Sequence, residues 1–199
     1  MKKIIIVIVV IVSVAGCALF VQHGRNSDSV ETALSVRNES QDIFSMVAIS
    51  WDKHVLVQKT NGDEYYFPKE LLTNVEKVSI IGVKSDGETV SSGTIPVEPG
   101  KIVSITKMNG NKLELSEKAE DSYTDEIKIP DLSNWKIEED GEQIKSSYSG
   151  KTDYAYTLYV LGKGGSLGTS DKIVDGTEAI ASWEKPSSIE VAWILLEKE

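Results

Sequence analysis

The sequence predicts a mostly β fold, an antiparallel sandwich or barrel. Three observations carry that reading. From Ile43 onward, apolar runs alternate with Asn61-Gly62, Asp86-Gly87, Asn109-Gly110, Asp140-Gly141 and Asp175-Gly176. Asn-Gly and Asp-Gly tolerate the positive φ angles that tight hairpins require. The runs between them are rich in β-branched and aromatic residues, the types that fit a pleated surface. Helix signals are scarce: only Pro68 to Asn74, with proline first and Glu70 in the first turn, suits a turn or two.

The elements follow in order. Gln22 to Asp42 is polar and poor in aromatics and reads as a tether, with Val30 to Val36 suited to a helical turn. His54 to Thr60 and Glu64 to Phe67 flank the first Asn-Gly. Val75 to Lys84 leads into Asp86-Gly87, and Lys101 to Lys107 into Asn109-Gly110. Glu117 to Glu126 carries five acids in ten residues and marks a break. The chain therefore divides into a first β domain at 43–116, an acidic linker at 117–130 and a second β domain at 131–199. A single sandwich with a long acidic loop is the alternative.

In the second segment, Trp135 to Glu139 and Glu142 to Tyr148 flank Asp140-Gly141. Tyr154, Tyr156, Leu158 and Val160 share a face by period two, and Tyr159 points the other way. In the last run, Ile189, Val191, Trp193 and Leu195 share one face and Ala192, Ile194 and Leu196 the other. Both faces are apolar, which predicts a central strand covered on both sides.

The N-terminus carries a different signal. Lys2 and Lys3 precede an apolar run from Ile4, which ends in Val14-Ala15-Gly16-Cys17. A positive start, a short apolar core and small residues before a cleavage point make a secretory signal. The final four residues resemble the lipobox of bacterial lipoproteins, with Val14 where leucine is usual. The resemblance covers residues 1–17. It implies removal of a signal peptide at 1–16, a diacylglycerol on the Cys17 sulfur and a membrane-anchored protein facing out of the cytoplasm. Residues 17–42 would then be the lipidated N-terminus and tether. Two or more acyl chains hold a protein stably, because each buried methylene contributes roughly 0.8 kcal/mol. The apolar run continues through Val21, so the 18 residues from Ile4 also fit an uncleaved transmembrane anchor. Lys2 and Lys3 leave the start on the cytoplasmic side in both cases.

Composition narrows the partners. The chain has 199 residues and a formal charge of −10. Loss of Lys2 and Lys3 with the leader takes that charge to −12. Nucleic acid needs a basic footprint and is not an expected partner. Cys17 is the only cysteine, so no disulfide is expected to staple the fold.

No catalytic motif emerges. Only His23 and His54 are present, no Gly-x-Ser-x-Gly occurs, and no His/Cys cluster has zinc spacing. Gly162-Lys-Gly-Gly-Ser-Leu-Gly168 lacks the phosphate-loop order. No enzyme activity, cofactor or metal is expected. The expected role is non-enzymatic binding at the cell surface, to a protein or a wall glycan. Tyr159, Trp183, Lys163 and Ser166 are the candidate ligand contacts, with Tyr159 expected to be exposed. One alternative is an immunity-type lipoprotein that sequesters cationic antimicrobial peptides, motivated by the acidic charge. A wall-acting enzyme is the other.

Overall fold

The computed structural model describes residues 31–59, 62–120, 128–174, 178–184 and 191–198. Val14, Ala15, Gly16, Cys17 and the apolar run to Val21 lie outside them, as do Asn61, Asp175 and Gly176. Among the described residues, no helix is long and apolar enough to cross a membrane.

The fold is mostly β. Its strands are β1 Thr32–Asn38, β2 Met46–Trp51, β3 His54–Lys59, β4 Glu64–Pro68, β5 Lys77–Val83, β6 Thr89–Pro96 and β7 Lys101–Asn109. They continue as β8 Lys112–Leu115, β9 Lys136–Asp140, β10 Gln143–Tyr148, β11 Tyr154–Leu161, β12 Leu167–Thr169, β13 Ala179–Glu184 and β14 Ala192–Lys198. An 11-stranded sheet runs β12-β11-β14-β3-β2-β5-β6-β8-β7-β1-β4, and a 3-stranded sheet runs β13-β10-β9. The large sheet is antiparallel except where β8 meets β6 and β1 meets β7.

Two cores result. The β4-β1-β7-β8 end of the large sheet folds back over its middle. This encloses Leu34, Val36, Ile49, Leu56, Phe67, Ile80, Ile105 and Trp193. On the opposite face, the small sheet covers Ala48, Val55, Val57, Leu158, Ile194 and Leu196 with Trp135, Ile144 and Tyr148. Strands β2, β3 and β14 therefore bury both faces. In β14, Trp193 belongs to the first core and Ala192, Ile194 and Leu196 to the second, as the two-faced apolar pattern predicts.

The folded-over end is locked by side chains. Tyr66 lies in β4, the last strand of the large sheet, where outward backbone groups have no neighbouring strand. Its N–H donates to Gln58 Oε1 at 2.6 Å. Its carbonyl accepts from Trp193 Nε1 at 2.7 Å. Two strands from the middle of the sheet thus satisfy the backbone of Tyr66 on the edge strand, which would otherwise be left open to pairing.

Several expectations need correction. Within the expected tether at 17–42, Thr32 to Asn38 is a strand, not a helical turn. It lies between β4 and β7, because Leu34 and Val36 are apolar at period two and find buried partners there. The expected linker at 117–130 begins as packed chain: Glu117 pairs with Lys101 and Glu120 with Lys77, and Glu120 bridges Thr94. The segments 43–116 and 131–199 do not form separate sheets. Strand β14 of the second pairs with β3 of the first along six residues, from Ala192↔Lys59 to Glu197↔His54.

The turn signals held in three places. The hairpins β5–β6, β7–β8 and β9–β10 close through Gly87, Gly110 and Gly141, all at positive φ. Strands β3 and β4, on either side of Asn61-Gly62, do not pair with each other: β3 pairs with β2 and β14, and β4 crosses to β1. The β2–β3 hairpin turns instead at Asp52-Lys53, with Asp52 at φ 44°. Residues Lys69–Leu72 form a short 3-10 turn after Pro68.

Burial predicts an alkaline limit to stability. Desolvation, helped by the Asp63 charge, pushes the Tyr65 phenol up to about 12 from its ordinary 10.0. Tyr66 rises to about 12 as well, through desolvation and then its hydrogen bond to Glu64. The unfolded chain ionises these phenols near pH 10 and the folded chain only near 12. The stabilisation is therefore intact below pH 10 and disappears between pH 10 and 12, with roughly 2–3 kcal/mol at stake for buried Tyr65. Denaturant midpoints measured from pH 9 to 12 should fall across that window. A flat profile would show that Tyr65 ionises normally in the fold.

Candidate functional site

The loop joining β11 to β12 and the neighbouring strand β13 form the site that the candidate residues define. Strand β11 ends at Leu161. A 3-10 turn, Lys163–Gly165, then reverses the chain into β12, which pairs back onto β11 from Tyr159↔Thr169 to Leu161↔Leu167. The reversal needs φ angles of 71° at Gly164 and 81° at Gly165, which glycine adopts without steric cost. Within the loop, Gly162 N–H donates to the Ser166 carbonyl. The Ser166 hydroxyl donates to the Lys163 carbonyl at 3.2 Å.

Gly162 and Gly168 make a floor for Trp183. A Cβ placed on Gly162 would collide with Trp183 Cδ1, and one on Gly168 would lie 3.1 Å from Trp183 Cβ. The indole thus rests where the Gly162 side chain is missing, and the stem of Trp183 where that of Gly168 is missing. The residue stays 44% exposed, next to the loop that carries Lys163 and Ser166. Lys163 and Ser166 are also exposed, and Lys163 makes no ion pair among the described residues. The arrangement offers a flat aromatic surface, a cation and a hydroxyl. Such a ledge can stack a planar or sugar-like face and hold a polar group beside it.

Three of the four candidates therefore come together, and Tyr159 does not join them. It is half-buried rather than exposed, because its face of β11 packs against the first core while Gly162 and Trp183 lie on the other. Burial raises its phenol above the ordinary range, Glu197 adds to that, and a hydrogen bond with Thr169 opposes it. The glycine floor was not legible as such. Two glycines bracketing a loop were visible in the sequence, but their occupant comes from β13.

His54 has a structural setting. It stacks on Trp51 with ring centroids 5.3 Å apart, and its Nε2 lies 3.4 Å from Glu197. Among the described residues, no group of three or more His, Cys, Asp or Glu could hold a metal ion. No protein-family model matches the chain, and neither a curated protein nor a solved structure matches it.

Proposed function

We propose that the chain is a membrane-anchored lipoprotein facing out of the cytoplasm, with a non-enzymatic binding role centred on Trp183. The observation that carries the binding role is the half-exposed Trp183, its indole seated on Gly162 and its stem on Gly168, beside Lys163 and Ser166. A large ring kept partly in water, on a floor cleared of side chains, is poised for contact. Aromatic anchors of this kind dominate binding energy at interfaces. The ligand class is a protein or a wall glycan. The anchor rests on Val14-Ala15-Gly16-Cys17 after a short apolar core.

Both halves are testable. Cys17→Ala should abolish labelling by a radioactive fatty acid and leave a longer precursor. Absence of label on the wild type, at unchanged mobility, would instead support an uncleaved transmembrane anchor. For the ledge, the detergent-solubilised full chain should be retained on wall fractions or capture a partner. Trp183→Ala should weaken that binding by roughly 2 kcal/mol or more, the range of aromatic hot spots. Gly162→Ala should weaken it too, because the added methyl occupies the indole's place. Equal retention of all three proteins would eliminate the ledge.

The acidic strand β9 favours a second reading. Glu138, Glu139 and Asp140 are exposed there, with Glu142 in the following turn. Capture of cationic peptides, lost at high salt and indifferent to Trp183, would assign the protein to the immunity-type role.

A further inference from the structure

A second surface has the opposite charge to the chain as a whole. A groove of about 690 Å³ lies between the β10–β11 loop and the C-terminal end of β14. Lys128, Lys151 and Lys198 line it, with Thr152, Asp153 and Tyr154. Among the described residues, five lysines elsewhere pair with glutamates: Lys69 with Glu31, Lys77 with Glu120, Lys84 with Glu88, Lys101 with Glu117 and Lys172 with Glu197. The three groove lysines make no ion pair among the described residues. All three are exposed, and Asp153 is the only carboxylate among the described lining residues. The Thr152 hydroxyl oxygen accepts the Tyr154 N–H at 2.9 Å, which leaves its own O–H to donate.

We infer that this groove between Lys128, Lys151 and Lys198 binds a phosphate ester. A phosphate presents several acceptor oxygens and full negative charge, so one group can answer more than one lysine. The volume falls in the range of small-ligand sites, roughly 300–1,000 Å³.

The strand ladder favours a lipid headgroup as the source of the phosphate. Lys198 pairs with Tyr154, and Glu197 beside it pairs with His54. Trp51 faces His54, and along β2, β5 and β6 the same end of the sheet carries Ser79, Lys77 and Pro96. Strand β1 starts at that end too, since Leu34 pairs with Lys101 at the beginning of β7. The groove and the point where the chain arrives from its N-terminal segment thus share one end of the large sheet. This source rests on the lipoprotein reading above. The groove itself does not.

Amine reactivity tests the inference on the full chain. The protein is placed in neutral phosphatidylcholine nanodiscs and in nanodiscs containing phosphatidylglycerol. Acetylation of each lysine is followed by mass spectrometry, with exposed Lys107 on β7 as reference. In anionic discs, Lys128, Lys151 and Lys198 should react about fivefold more slowly relative to Lys107, the factor expected per lysine near an anionic surface. Salt at 0.5 M should remove the effect. Protection by soluble glycerol phosphate in neutral discs would support the groove and assign it a free ester. Equal rates under all conditions would overturn the inference. Co-elution with the disc is read separately: a co-eluting chain protected neither in anionic discs nor by glycerol phosphate sinks the groove alone. A chain that fails to co-elute but is protected by glycerol phosphate keeps the groove and sinks the anchor.

Discussion

Trp193→Ala is expected to destabilise the fold by about 3–5 kcal/mol, the cost of emptying a large buried aromatic site. Trp193 is 1% exposed and lies in the first core. Its loss acts twice. The indole volume empties, and the Tyr66 carbonyl on edge strand β4 loses its donor. Trp193→Phe keeps a six-membered ring and more of the packing than alanine does, while it removes the N–H along with part of the indole volume. An orphaned carbonyl costs roughly 1–3 kcal/mol when buried, and the Tyr66 carbonyl is partly buried, so with the lost ring volume the phenylalanine variant should sit below the wild type. Equilibrium denaturation reads both values. Domain stability is only about 5–15 kcal/mol, so the alanine variant should be visibly compromised. A phenylalanine variant as stable as the wild type would show that the Trp193–Tyr66 bond does not hold β4 in place.

Trp135→Ala should cost a similar amount, about 3–5 kcal/mol, but from the other side of the large sheet. Trp135 is fully buried just before β9. Its Nε1 donates to Ser146 Oγ at 2.8 Å, and its carbonyl accepts from Lys59 Nζ at 3.0 Å. The first bond holds it to the small sheet and the second to β3. Close by, Tyr148 and Tyr156 meet edge to face at 4.9 Å, again one ring from each sheet. Loss of Trp135 should therefore loosen the contact between the sheets. Because β2, β3 and β14 serve both cores, the destabilisation should appear as one cooperative transition moved to lower denaturant. Two separate transitions would mean that 43–116 and 131–199 unfold as independent units despite their common sheet.

The candidate site was legible in unequal parts. Lys163 and Ser166 stood out because a glycine-rich loop after a strand is a local pattern. Trp183 stood out as an aromatic in a strand. Period two put Tyr159 on the face opposite Tyr154 and Tyr156, and that assignment agrees with the structure. Its exposure did not follow, since a face is open or covered only once the partner layer is known. Lys128, Lys151 and Lys198 drew no attention in the sequence. They lie on separate stretches of chain, and nothing local tells that β14 ends beside β11.

By itself, the sequence determined the β class, the hairpins at Asp86-Gly87, Asn109-Gly110 and Asp140-Gly141, and the two-sided burial of β14. Each depends on one residue's φ preference or on alternation along a single strand, which are short-range effects. Tertiary structure alone decided that Thr32–Asn38 joins the sheet, that β4 crosses to β1, and that Gln58 and Trp193 cap Tyr66. It also decided that β3 and β14 unite the two segments. Every apolar strand of similar length offers the same backbone hydrogen bonds, so pairing is chosen by which faces can be buried together. That is a property of the packed layers rather than of any one run of residues.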